Sequence, residues 1–190
     1  MARTDRERWE QRYADPCGSL KKGPHEFLMR HAPPPRPGSR ALELACGLGH
    51  DALWLAARGY RVDAIDISAE ALRRARAAMQ QRGLSSVTFI QADLDHFPLP
   101  VHAYDLVTVF RYLNRDLFPA ICARVRPGGL VIYQTLNVRR LERNPATNPD
   151  HMLALDELPR YFPGWTVLDA GSDGYLSHFA GRKPLEGRGP

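Results

Sequence analysis

The chain has 190 residues, 44% of them hydrophobic and 25% charged, the proportions of a single ordinary globular domain with a sizeable core. Its apolar runs fall far short of a membrane span, and the opening Met1-Ala2-Arg3-Thr4-Asp5-Arg6-Glu7 has no signal-peptide core. Membrane, collagen-like and disordered classes are therefore excluded, and the formal charge of +5 is left to be explained by its placement.

Residues 4–14 read as a short helix, with Thr4 and Glu7 as a capping box and Trp9 and Tyr13 on one face. A turn at Cys17-Gly18-Ser19 leads to a second helical stretch over 24–31. Pro33-Pro34-Pro35-Arg36-Pro37-Gly38 is then a stiff extended spacer. An N-terminal helical arm over 1–39, able to act as a lid, is thus expected ahead of a body over 40–190. From residue 40 the pattern alternates. A strand over 40–45 turns at Cys46-Gly47-Leu48-Gly49 into a helix over 50–58, and a second strand covers 61–67. Ser68 caps a helix that ends at Gly83. Strands follow at 87–92 and 104–110, then a helix near 116–125 entered at Asn114. Pro127-Gly128-Gly129 makes a turn into a strand over 130–136. A loop with two Asn-Pro steps, a helix near 156–162 and strands at 166–170 and 176–181 complete the chain. Strands alternating with helices predict an α/β fold built on a mostly parallel sheet covered on both faces.

The turn at Glu43-Leu44-Ala45-Cys46-Gly47-Leu48-Gly49 lies where a first strand enters a first helix. Two residues without Cβ atoms let backbone approach a ligand closely, and the helix start offers unpaired N–H groups. A tight turn with no ligand would leave the same trace. Asp66 ends the next strand 19 residues after Gly47, where a carboxylate can accept both hydroxyls of a ribose. Gly47-Leu48-Gly49-His50-Asp51-Ala52 satisfies a dinucleotide pattern. Three features nevertheless argue against a nicotinamide-dependent reductase. Glu43 adds negative charge ahead of the turn, where a pyrophosphate would be repelled. Asp93 ends the third strand, placed to accept from an adenine amino group. About 50 residues follow the fifth strand, too few for a separate substrate domain. A cofactor with a cationic centre, an amino-acid end, a ribose and an adenine suits this set, and S-adenosylmethionine is that cofactor.

With Glu43–Gly49, Asp66, Ala92-Asp93 and Arg126-Pro127-Gly128-Gly129, residues 40–137 resemble the class I S-adenosylmethionine-dependent methyltransferases. Narrower similarity is to the tellurite-resistance type, through Trp9…Arg12-Tyr13, Arg111-Tyr112-Leu113-Asn114-Arg115 and Asn148-Pro149-Asp150. The resemblance implies a doubly wound, Rossmann-like, mostly parallel seven-stranded sheet with its last strand antiparallel. It implies that Glu43 meets the cofactor's amino group or orders the turn, and that Gly47 and Gly49 pass beneath the ligand. Asp66 would hold the ribose, followed by Ile67. Ala92, Asp93 and the Leu94 amide would read adenine, and Phe110 with Arg111 would lie beside the sulfonium. Ala45, Cys46 and Asp51 complete the turn, and Trp9 and Tyr13 would contact the cofactor or simply pack the arm. Ala45 stands where the family usually has its first glycine, so a slightly fuller wall is expected there.

Divided by segment, the charge is +4 over 1–40, −2 over 41–110, +5 over 111–143 and −2 over 144–190. Ligands of a parallel sheet sit at the carboxyl ends of its strands, which brings Arg111, Tyr112 and Asn137-Val138-Arg139-Arg140 toward the methyl acceptor. Arg111 is expected to orient a small anionic or soft nucleophilic acceptor, an oxyanion or a thiol, with Tyr112 steering or deprotonating it. Arg143 reads as part of a solvated face. An RNA or protein methyltransferase and a cofactor-binding protein without activity are the alternatives. Neither an RNA-binding module nor aromatic–basic interleaving is present, so a small-molecule partner is favoured over nucleic acid. Cys17, Cys46 and Cys122 are too few and scattered for a disulfide framework or a zinc site, and His50, His96 and His151 have no ligand spacing, so no metal is expected. A reducing cytoplasm, no membrane contact, and a monomer or weak homodimer complete the expectation.

Overall fold

The computed structural model describes residues 2–15, 23–101 and 103–185, with the side chains of 2–4 left aside. The Cys17-Gly18-Ser19 turn and the Thr4 half of the capping box lie outside the described residues. Two compact units form, Met1–Pro98 and Leu99–Pro190.

In the first unit the arm helices α1 (Ala2–Ala14) and α2 (Glu26–His31) precede β1 (Arg40–Leu44), α3 (His50–Ala57), β2 (Arg61–Asp66), α4 (Ala69–Gln81) and β3 (Val87–Gln91). The strands pair in parallel in the order β3-β2-β1, with Glu43 opposite Ala64 and Ile65 opposite Ile90. Near-continuous apolar runs in β1 and β2 fit strands buried on both sides, and Leu42, Leu44, Leu53, Ile65 and Leu72 have no exposed surface. Ser68 caps α4 as its sequence implied, accepting from the Ala71 amide at 3.1 Å. Beyond α4, Gly83 takes a left-handed φ of 64°. The proline spacer is fastened to this unit: the buried Tyr60 hydroxyl donates to the Pro33 carbonyl at 2.8 Å.

The second unit contains β4 (Tyr104–Phe110), a 3-10 turn at Arg115–Leu117, α5 (Phe118–Arg124), β5 (Val125–Leu136), α6 (Arg140–Arg143), 3-10 turns at Pro149–His151 and Leu158–Tyr161, β6 (Thr166–Asp173) and β7 (Leu176–Arg182). β5 runs parallel to β4, and β7 lies antiparallel between β5 and β6. Seven strands, parallel except around β7, make the expected class.

Two local expectations change. Pro127-Gly128-Gly129 is a bulge inside a longer β5, not a turn before it: the ladder passes from the Tyr104–Val125 pair directly to Leu106–Leu130. Pairing across the bulge keeps it in the sheet, since Gly128 N–H donates to Lys183 O and Lys183 N–H to Gly129 O. The helix expected near 156–162 shrinks to the 3-10 turn Leu158–Tyr161, which has Pro159 at its start and Pro163 just beyond it. Its aromatic residues build the core of this unit. Tyr161 stacks on Phe118 at 3.8 Å between centroids, and Phe162 stacks on Phe179 at 4.6 Å. Arg115 pins the loop ahead of the turn, donating to the Glu157 carboxylate and to the Asp150 and Met152 carbonyls. Among the described residues no helix is long and apolar enough to cross a membrane.

Candidate cofactor site and acceptor-side residues

The loop between β1 and α3 enters left-handed backbone at three alternate positions, Ala45 (φ 54°), Gly47 (φ 52°) and Gly49 (φ 68°). At Gly49 a side chain would meet Phe89 and Ala75 at 3.0 and 3.1 Å, so the glycine lets the turn press onto β3 and α4. Ala45 bears the same conformation with a Cβ, which costs an L-residue about 1–2 kcal/mol. Part of that gain returns through the freer unfolded chain of a glycine, so Ala45→Gly is expected to stabilise the protein by about 0.5–1 kcal/mol. Thermal unfolding checks this: a midpoint at or below that of the parent would show that position 45 carries no strain.

Three carboxyl groups converge behind the turn. Asp66, 6% exposed, accepts from the Gly47 amide at 2.6 Å and the Ser68 amide at 2.9 Å. Burial pushes its carboxyl up, and the amides of Ser68, Gly47 and Ile67 pull it part of the way back. Asp51, 3% exposed, accepts from the His25 amide at 2.7 Å and sits 2.5 Å from His25 Nδ1. Glu43, 3% exposed, is held well above the usual carboxyl range by burial and by the charge of Asp51, opposed by the Ala52 amide. Its Oε2 is buried without a hydrogen-bond partner. An orphaned buried acceptor beside two further acids is a poor structural element and a good receptor for a cation. The ammonium of an amino-acid end fits it.

The arm lies directly on this turn. Glu10 caps α4 from 58 to 60 residues away, taking bonds from Ser68 Oγ (2.8 Å) and from the Ala69 and Glu70 amides (2.7 and 3.0 Å). Arg74 donates to the Tyr13 carbonyl at 2.7 Å. Tyr13 Oη thereby comes within 2.5 Å of where a Cβ on Gly47 would stand, and Trp9 stacks on Tyr13 at 5.8 Å. Burial, with Asp66 and Cys46 nearby, pushes the Tyr13 phenol up. Burial first, and then the charges of Glu43 and Asp66, push the Cys46 thiol well above its usual range.

The structure thus brings Trp9, Tyr13, Glu43, Cys46, Gly47, Asp51 and Asp66 together. Ala92 joins through its amide, which donates to the Asp66 carbonyl at 3.0 Å, and Leu94 is buried. Asp93 is partly exposed, and its Oδ1 accepts from the Asp95 amide at 3.1 Å. Phe110, Arg111 and Tyr112 belong to the second unit. There Arg111, at φ 60°, follows β4 and donates its amide to Gln134 O at 2.9 Å, while the Tyr112 carbonyl accepts from the buried Tyr133 hydroxyl at 2.8 Å. Glu10, His25 and Arg74 had no signal in the sequence, because each acts through a partner 26 to 61 residues away. Among the described residues no group of three or more potential ligands is arranged to hold a metal ion.

Residues 41–129 match the family model described as a methyltransferase domain. The ubiquinone biosynthesis O-methyltransferase of Vibrio cholerae serotype O1 is 36% identical over 106 residues, 53% of this chain and 43% of the relative. The malonyl-[acyl-carrier protein] O-methyltransferase of Enterobacter lignolyticus is 26% identical over 172 residues, 88% of this chain and 59% of the relative. The chain therefore spans less than two thirds of the length of these curated relatives. Among solved structures, the N-methyltransferase NodS from Bradyrhizobium japonicum WM9, in complex with S-adenosyl-L-homocysteine, shares the fold. Its TM-score is 0.73 at 18% identity, covering 94% of this chain and 97% of that one. The fold is thus Rossmann-like, shared with S-adenosylmethionine-dependent methyltransferase structures, and residues 41–129, just under half of the chain, are similar to a methyltransferase domain.

Proposed function

We propose that this chain moves a methyl group from S-adenosylmethionine to a small acceptor that is an anion or a soft nucleophile, an oxyanion or a thiol. The observation that carries the cofactor half is Glu43, a buried carboxyl whose Oε2 has no partner, next to a glycine turn whose Gly47 amide is held by Asp66. In this reading Glu43 receives the ammonium and Asp66 receives the ribose hydroxyls. Ala45, Cys46, Gly47, Gly49 and Asp51 shape the turn, while Ile67, Ala92, Asp93 and the Leu94 amide surround the adenosine. Residues 1–39 form a lid carrying Trp9 and Tyr13, and 40–190 form the catalytic domain.

When bound, the sulfonium supplies an electrophilic methyl group that a nucleophile displaces in line, so the protein's part is largely positioning. Arg111 orients an anionic acceptor and Tyr112 takes its proton where one must leave. The name of the ubiquinone-biosynthesis relative favours a small-molecule acceptor over RNA or a protein side chain, and the tellurite-like acceptor rests on the motif residues alone. A reducing cytoplasm and a monomer or weak homodimer belong to the same reading.

Calorimetry with S-adenosylmethionine, S-adenosylhomocysteine and NADPH, paired with mass-spectrometric detection of methylated oxyanions and thiols, tests it. Tight S-adenosylhomocysteine binding with a methylated product is expected. NADPH binding without S-adenosylhomocysteine binding would overturn the proposal, and cofactor binding with no product from any acceptor class would leave only a binding protein.

A further inference from the structure

Two arginines of the second unit gather around one tyrosine past the carboxyl end of β5, with a third, Arg111, following β4. Arg140 and Arg143, on α6, set their guanidinium carbons 5.4 and 5.7 Å from the centre of the Tyr175 ring. Arg143 also donates to the Tyr175 hydroxyl at 3.4 Å. Arg111, first residue after β4, lies within electrostatic reach of both Tyr175 and Arg140, and desolvation with the Arg140 charge holds it below its usual range.

The cluster is fixed in place by a buried residue. Asn137, with no exposed surface, donates from its amide to Tyr175 O at 3.0 Å and from Nδ2 to Gly174 O and Ser177 Oγ, both at 3.3 Å. Its Oδ1 accepts from the Arg139 amide at 3.0 Å, and its carbonyl accepts from the Arg140 amide at 3.0 Å. One asparagine therefore ties the β6–β7 hairpin, which presents Tyr175, to the start of α6, which presents Arg140 and Arg143.

Charge decides what this arrangement is for. Elsewhere in the unit, Arg115 pairs with Glu157 and Arg126 with Asp105. Among the described residues no carboxylate pairs with Arg111, Arg140 or Arg143. Three like charges held close repel one another, and a single ring face compensates only about 0.5–2 kcal/mol per cation. Guanidinium forks are matched to the paired oxygens of carboxylate and phosphate.

We infer that Arg140, Arg143 and Tyr175, together with Arg111, form an oxyanion anchor that grips a carboxylate or phosphate group of the methyl acceptor, at a point separate from the atom that is methylated. The inference rests on the methyltransferase reading and narrows its acceptor class. An organic acid or a phosphorylated metabolite satisfies two points of contact, whereas an inorganic oxyanion whose own oxygen or central atom reacts offers only one. Tyr175 acts as a platform that spaces the two guanidinium groups, and Arg143, which the sequence alone assigned to a solvated face, becomes a ligand residue.

The test is a titration of the full chain with inorganic phosphate and with malonate at constant ionic strength, followed through the arginine Nε–Hε resonances. The expected result is saturable shifts of the Arg140 and Arg143 resonances, not reproduced by chloride, with affinity at least tenfold weaker in Arg140→Gln/Arg143→Gln. Arg143→Gln alone, at an exposed position, and Arg140→Lys guard against a folding defect, the lysine restoring part of the affinity. Preference for phosphate or for malonate assigns the acceptor's anionic group. Shifts that fail to saturate, that chloride reproduces, or that survive in the double variant would overturn the anchor. S-adenosylhomocysteine binding, followed in parallel by calorimetry, is expected to persist in the variants. Anion binding by a parent chain that does not bind S-adenosylhomocysteine would remove the methyl-acceptor role and the proposed function, while leaving the anion site standing.

Discussion

Asp66→Asn is expected to weaken S-adenosylhomocysteine binding at least tenfold and to lower the unfolding midpoint. Both oxygens of the Asp66 carboxylate accept main-chain N–H groups, from Gly47 at 2.6 Å and from Ser68 at 2.9 Å. An asparagine must point its NH2 at one of them, which deletes a charge-assisted bond and leaves two donors facing each other. Hydrogen bonds to charged groups contribute about 1.5–3 kcal/mol each, and for a chain of this size 1 kcal/mol shifts the midpoint by about 2–4 °C. The expected loss is therefore roughly 3–12 °C from one such bond. The affinity loss has two sources, the missing acceptor for the ribose and a Gly47 amide no longer fixed. Calorimetry and thermal unfolding read the two separately. Parent-like affinity in the variant would reject the ribose role for Asp66, whatever the midpoint does.

Glu43→Gln is expected to move stability and ligand affinity in opposite directions. Burial and the Asp51 charge raise the Glu43 carboxyl well above its ordinary range in the folded chain, whereas the unfolded chain ionises it within that range. Above the ordinary range the unfolded state has released a proton that the folded state still holds. The contribution of Glu43 to stability is thus complete below the ordinary carboxyl range and declines as pH rises through the folded value. Glutamine carries no such penalty, so the variant should unfold at a higher temperature than the parent near pH 8, with the difference fading toward pH 4. Cofactor affinity should fall tenfold or more, because the buried carboxylate that answers the ammonium is gone. In the parent, ionisation of Glu43 on binding releases a proton, so the calorimetric heat should vary with the ionisation enthalpy of the buffer, and in the variant it should not. A stability difference that grows as pH falls, or unchanged affinity, would refute this role.

These two expectations differ in how far the sequence foretold them. The role proposed for Asp66 comes from an acid that ends the strand after a glycine turn, a spacing set by the lengths of strand, turn and helix, and the role proposed for Glu43 comes from the family resemblance. The elevated Glu43 carboxyl did not, because it depends on Asp51 being folded back beside it and on an Oε2 left without a partner. The bulge at Pro127–Gly129 was equally illegible. Its residues favour a turn locally, and only pairing with Lys183, the residue just past β7, keeps them in the ladder.

By itself the sequence determined the alternation of strands and helices, the Ser68 and Asn114 caps, the tight glycine turn, and an acidic segment set between basic ones. All of these are short-range properties of backbone conformation or sums over neighbouring residues. The tertiary structure alone decided that Glu10 caps α4, that Tyr13 closes on Gly47, that His25 holds Asp51 and that Tyr175 collects Arg140 and Arg143. Each of these contacts, those of the arginines included, joins residues separated by 26 to 60 positions. Loop closure over such distances leaves no periodicity to read, so the partner of each side chain is fixed only when the core has packed.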